Sequence, residues 1–169
     1  AGAGAAGGGS DVHSASTTVE IVNIASVNDA PTISRPATVS ATEDVEFNFT
    51  GGNTISIADV DARNGAVEVA LSIPTGSITL TPGATSVTSG SLGSSAFTLQ
   101  GTVSAINSAL ATLRYTSPLD DNSLNASDAE RTLAINVSDL GNSSGGAMTT
   151  AGTANASTLI NLAAVNDTP

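Results

Sequence analysis

The sequence predicts an all-β fold, an antiparallel Greek-key β-sandwich with one short helix around 103–112. Three observations carry that prediction. Apolar and polar residues alternate over short runs, the period-2 signature of strands with one buried face. Gly, Pro, Asn and Asp separate the runs, supplying turn geometry between them. The apolar fraction is 40% with only 2% aromatics, so the core is made of Val, Ile, Leu and Ala, which suit pleated sheets better than a large ligand pocket.

Taken in order, a first strand runs from the entry at Pro31 to near Glu43 and Asp44. Val45, Phe47 and Phe49 then alternate with Glu46 and Asn48, and Ile55 and Ile57 extend the pattern beyond Gly51 and Gly52. Val67, Val69, Leu71 and Ile73 alternate next, before Pro74, Thr75 and Gly76 turn the chain into Ile78 and Leu80. Further strands are expected at 96–99, 113–116, 133–137 and 156–162, about seven to nine in all, the count of a two-sheet sandwich. Between them Val103, Ile106, Leu110 and Leu113 fall on one helical face after Gly101 and Thr102, which predicts a short helix packed over one end or side.

Composition excludes most chemistries. The 169 residues carry 15 Asp plus Glu against 4 Lys plus Arg, for a formal charge of −11, and contain no Cys and one His. Without Cys there is no disulfide framework, thiolate metal site or thiol nucleophile. All four basic residues are arginines (Arg35, Arg63, Arg114, Arg131), so there is no lysine for a Schiff base or a phosphate loop. Nucleic acid is excluded as a partner for want of clustered cations. No apolar run is long enough to span a bilayer, so membrane insertion is not expected, and no signal-peptide pattern opens the chain, so any export signal is expected outside these residues. His13 has no nucleophile elbow to serve, and no aromatic sugar platform accompanies any carboxylate pair; the chain is expected to be no enzyme. What remains is carboxylate oxygen, the chemistry of calcium or magnesium.

The sequence also repeats. VNDAP at 27–31 recurs as VNDTP at 165–169, 138 positions later, and the likeness runs backwards so that VEIVNIA at 19–25 falls on STLINLA at 157–163. Residues 1–31 therefore read as the trailing strand of a preceding repeat plus a linker, and 32–169 as one complete repeat ending in the next linker. About 140 residues bury a core of their own, so the unit is a domain in a tandem array.

With SATED at 40–44, ADVDA at 58–62, GTVSAINSALATLRYTSP at 101–118 and VSDLGN at 137–142, the chain resembles the cadherin-like, immunoglobulin-like repeats of large bacterial RTX adhesins. The resemblance covers nearly all of 32–169. It implies a calcium-stiffened extender or adhesion module, secreted to the bacterial cell surface, where such proteins serve adhesion and biofilm formation. Two departures stand out. GGGSD at 7–11 does not fit the spacing of the calcium-roll nonapeptide GGxGxD, and the loop between Leu119 and Arg131 is longer than the family's.

Calcium takes 6–8 oxygens, and no short run here supplies them. Asp59, Asp61 and Gly65 do not make an EF-hand, since Arg63 holds the fifth position and Ala70 stands where the bidentate Glu belongs. Ligands must then converge from separate loops. Successive antiparallel strands exchange ends, which gathers Asn28, Asp29, Asp59, Asp61 and Asp139 at the upper end, where the linker enters. Glu43, Asp44 and Asp167 gather at the lower end, with Asp120, Asp121 and Asp128 as further candidates. The arrangement resembles the calcium junction of cadherins: carboxylates this close repel unless a divalent cation lies among them. The expected partners are neighbouring repeats of the same chain and host or cell-surface glycans or proteins. Two other functions are alternatives. One is a carbohydrate-binding module acting through exposed calcium. The other is a filament subunit self-associating by donation of the strand at 17–27.

Overall fold

A computed structural model describes residues 27–119, 121, 131–142 and 150–165. The expected trailing strand at 17–27, save Val27, lies outside them, as do Asp120, Asp128 and Asp167. Among the described residues the fold is all-β apart from one α-helix and short 3-10 turns. Its strands are β1 (Thr32–Ser34), β2 (Thr38–Thr42), β3 (Phe47–Asn48), β4 (Ser56–Ala58), β5 (Val67–Ser72), β6 (Ser77–Thr79), β7 (Ser86–Gly90), β8 (Ala96–Gly101), β9 (Arg114–Thr116), β10 (Thr132–Ser138) and β11 (Thr153–Ala163). Helix α1 is Val103–Leu110. They form a six-stranded sheet in the order β2-β11-β10-β5-β8-β7, a three-stranded sheet β3-β9-β6 and the pair β1-β4. Among the described residues every pairing is antiparallel except β2 with β11.

Alternation does what period 2 requires. In β5, Val67, Val69 and Leu71 are buried while Glu68, Ala70 and Ser72 are less so, and β10 repeats the pattern with Leu133, Ile135 and Val137. Register stacks these positions across the sheet: Val69 faces Val137 and Leu99, and Leu71 faces Ile135 and Phe97. Such aliphatic and aromatic cross-strand pairs are the unit of sheet stability. One core joins that face to Ile57, Ile78 and Tyr115 from the other strands, to Phe49 just after β3 and to Ile106 and Leu110 of α1.

Helix α1 starts where Thr102 caps it, its hydroxyl accepting from the Ala105 N–H at 3.2 Å. Ile106, Ala109 and Leu110 bury the inner face. Asn107 then binds β4 as a neighbouring strand would: Ile57 N–H donates to Asn107 Oδ1 at 2.8 Å, and Asn107 Nδ2 donates to Ile57 O at 2.9 Å.

Several expected elements differ. The first strand divides at Pro36, so that β1 joins β4 while β2 lies beside β11; proline cannot donate to a ladder and breaks it there. The alternating stretch from Val45 to Ile57 is not continuous. Val45 is exposed, β3 has two residues, and a 3-10 turn at Gly51–Asn53, with Gly51 at φ +60°, separates it from β4. Strand β7, SVTSG, has no apolar period because all five residues are exposed on a sheet edge. Among the described residues no helix is long and apolar enough to cross a membrane.

Candidate functional site

Asp59, Asp61 and Asp139 lie at one end of the fold and Glu43 and Asp44 at the other. At the upper end, β4 runs into a tight loop in which Asp59 Oδ1 accepts the N–H groups of Asp61 (2.8 Å) and Ala62 (2.9 Å). Asp59 is thus a turn-forming carboxylate, the side-chain role that favours Asp in loops. Its other oxygen, Oδ2, is buried with no hydrogen-bond partner. Asp61, itself buried, accepts the backbone N–H of Asp29 through Oδ2 at 2.7 Å, fixing the linker to this loop.

The second upper element is the turn after β10. Asp139 is fully buried, and its carboxylate accepts three donors: Gly141 N–H (2.7 Å) and Gly152 N–H (2.8 Å) on Oδ1, and Asn28 Nδ2 (2.7 Å) on Oδ2. Its lone pairs hold the turn and the linker together. Asn28 also donates to Thr150 O at 3.1 Å, while its Oδ1 is buried and unpartnered. Asn142 braces the two loops, donating through Nδ2 to Ala66 O and Asp139 O, both at 2.6 Å. A Cβ on Gly65 would stand 2.5 Å from Asn142 Oδ1, so glycine is what allows that approach.

At the lower end Glu43 lies between the parallel strands β2 and β11. It is 1% exposed; its N–H donates to Ala163 O at 3.1 Å, and its Oε1 accepts the Val165 N–H at 2.6 Å. Glu43 Oε2 is buried without a partner. Asp44 is exposed in the following turn at φ +62°.

Asp121 belongs to a different arrangement. It lies 3.6 Å from Arg131, both are buried, and the pair sits by the fully buried Tyr115. Burial first, then the Asp121 charge, pushes the Tyr115 hydroxyl up to about 12, with Arg131 opposing. This ion pair anchors the stem of the loop after β9.

The structure therefore joins Asn28 to Asp139 and Asp29 to Asp61, with Asp59 in the same turn as Asp61, and places Glu43 at the opposite end. Among the described residues no three carboxylate or histidine side chains come together in a group that would hold a metal ion. Asp29 reaches Asp61 with its backbone rather than its carboxylate. Sequence reasoning missed Gly152, Gly65 and the bracing role of Asn142. Only Asn142 had a signal, its place beside Gly141 in VSDLGN.

Comparison with protein-family models, curated proteins and solved structures finds no match to this chain. The resemblance to adhesin repeats rests on the motifs alone.

Proposed function

We propose that the chain is a non-enzymatic, calcium-stiffened extender repeat of a bacterial cell-surface adhesin. In this reading it is a Greek-key sandwich of the immunoglobulin and cadherin type, with half of an inter-repeat cation site at each end. The observation that carries the reading is a shared pattern: Glu43 and Asp59 each use one carboxylate oxygen to hold backbone and bury the other with no donor. An ionised oxygen buried without a partner is costly, and a hard divalent cation is the ligand that suits it.

The repeat turns the two ends into one seam. VNDAP and VNDTP are the same linker met twice. At the lower end its valine, Val165, is gripped by Glu43; at the upper end its Asn and Asp, Asn28 and Asp29, are gripped by Asp139 and Asp61. From the valine to the aspartate is two residues, at most ~7 Å of extended chain. In a tandem array, Glu43 of one repeat thus comes beside Asn28, Asp29, Asp59 and Asp61 of the next. The free oxygens of Glu43, Asp59 and Asn28, with Asp29 and Asp61, are the ligands we assign. Asp139 positions Asn28, whose Oδ1 is turned away from the bond its amide makes.

The ion supplies positive charge that lets these acids share a seam, and so fixes the angle between neighbouring repeats and projects a distant binding domain from the cell. The test is thermal unfolding of a two-repeat protein, the full chain with a second copy of 32–169 joined after Pro169. At ten times the dissociation constant each site adds RT ln 11, about 1.4 kcal/mol. The melting temperature is expected to rise with calcium and fall back with chelator. A melting temperature indifferent to both removes the calcium role.

A further inference from the structure

We infer that neighbouring repeats also dock on one another directly, the upper-end face formed by Val60, Arg63 and Val103 receiving the lower-end turn, Asp44 and Val45, of the repeat before it. The inference rests on the tandem reading above, though not on calcium.

The receiving face is a groove of about 740 Å³ between the 59–63 loop and α1, lined by Asp59, Val60, Arg63, Val103, Asn107 and Ala111 among others. Val60 projects beside it, 77% exposed. Large exposed apolar residues are otherwise scarce and concentrated. Of the six among the described residues, Val27 and Val60 lie at the upper end, and Val45, Leu119 and Val165 at the lower; Val87 alone is elsewhere, on the edge strand β7. Scattered single apolar residues are ordinary, whereas their collection at two opposite ends marks surfaces that meet something.

The occupant follows from the repeat. Val27 and Val165 are the same linker position, and two residues separate the grip of one end from the grip of the other, so the facing ends approach to within about 7 Å of extended chain. Charge agrees. Arg63 is the single basic residue among the described residues of the upper-end loops, 27–31, 59–66, 139–142 and 150–152, and it is exposed with no hydrogen bond or ion pair among the described residues. Asp44, on the facing end, is likewise exposed and makes none, whereas nearby Glu46 is taken by Arg114 at 3.3 Å. An Arg63–Asp44 pair over a Val60–Val45 contact would close beside the acidic seam and resist its bending.

The chain has no Cys, so paired spin labels can be placed cleanly at Ser89→Cys, on an exposed strand, in both copies of the two-repeat protein. With calcium present, the distance distribution is expected to be a single narrow peak. Val60→Ser or Arg63→Gln in the second copy, and Asp44→Asn in the first, are each expected to lose that peak. The Arg63→Gln, Asp44→Asn combination should do no more than either alone. All three residues are exposed, so the melting temperature of a single repeat serves as the folding control. If the peak survives all three changes, direct docking is wrong. Chelation separates the two ideas: broadening by chelator with no effect of the variants keeps calcium and removes docking, and the reverse keeps docking and removes calcium.

Discussion

A hydrogen atom is the only side chain that position 152 accommodates. A Cβ there would lie 2.6 Å from Asp139 Oδ2 and 2.8 Å from Ala30 Cα, so Gly152 is where the turn after β10 and the linker pass closest. Gly152→Ala is expected to cost about 1–3 kcal/mol by overpacking, read as a lower denaturant midpoint, because one of its neighbours is backbone that cannot rotate aside. An unchanged midpoint would mean the linker is not seated as described. Nothing near position 152 announces this; the constraint comes from Ala30, far away in the chain. The turn role of Asp59 was legible, since Asp accepting from the next amides is a local habit, but which of its oxygens stays free is set by tertiary packing.

Tyr115 gives a second test at the same scale. Its hydroxyl is raised to about 12 by burial and by Asp121, against about 10 for an unfolded tyrosine. The neutral phenol is thus favoured in the folded state. The stability it contributes is complete below pH of about 10 and is lost as pH rises from there towards about 12. Tyr115 is the sole Tyr and there is no Trp, so tyrosinate absorbance of the native protein is expected to titrate near 12. A midpoint near 10 would show that the phenol is not buried beside Asp121.

Among elements, the presence and start of α1 were legible because two signals agreed, an apolar face at helical spacing and Thr102 at its start, although the helix stops at Leu110 and leaves Leu113 beyond it. Its function in the fold was not legible. Asn107 lies off the apolar spacing that predicts the helix, yet it supplies both hydrogen bonds to Ile57 of β4. Asn107→Ala should cost about 1–3 kcal/mol by leaving the Ile57 amide groups unpaired, measured by denaturant unfolding. A loss below a few tenths would mean that water replaces the side chain without penalty. The central strands β5, β8 and β10 were readable from alternation because one face of each is buried. Strand β7 was not, for an edge strand exposed at every residue has no inner face to write a period into the sequence. Val45 failed for the opposite reason. Its alternation with Phe47 is genuine, but its position beyond the end of β3 leaves it in solvent.

At the scale of the whole molecule, strand parity was the productive argument: a chain that reverses direction at every turn sorts its loops to two ends, and the acids fall on loops. By that count the first and last strands run the same way, and β2 and β11 do pair in parallel, the one such pairing among the described residues; it brings Glu43 against Val165, so that the last linker is held by the first acidic turn. Side-chain coordination could not be read that way, because parity gives the end of a loop and not the direction of an oxygen. Two or three seam ions per repeat, each adding about 1.4 kcal/mol under the conditions above, would be a large share of the roughly 5–15 kcal/mol of a typical domain.

The most direct test of calcium as the cement of the seam is a calorimetric titration of the two-repeat protein. We predict saturable binding with dissociation constants of about 10⁻⁴ to 10⁻³ M, the range of extracellular modules. That binding should weaken when Glu43 of the first copy becomes Gln or Asp59 of the second becomes Asn. Absence of saturable heat at millimolar calcium, or titrations unaltered by both substitutions, would contradict the account.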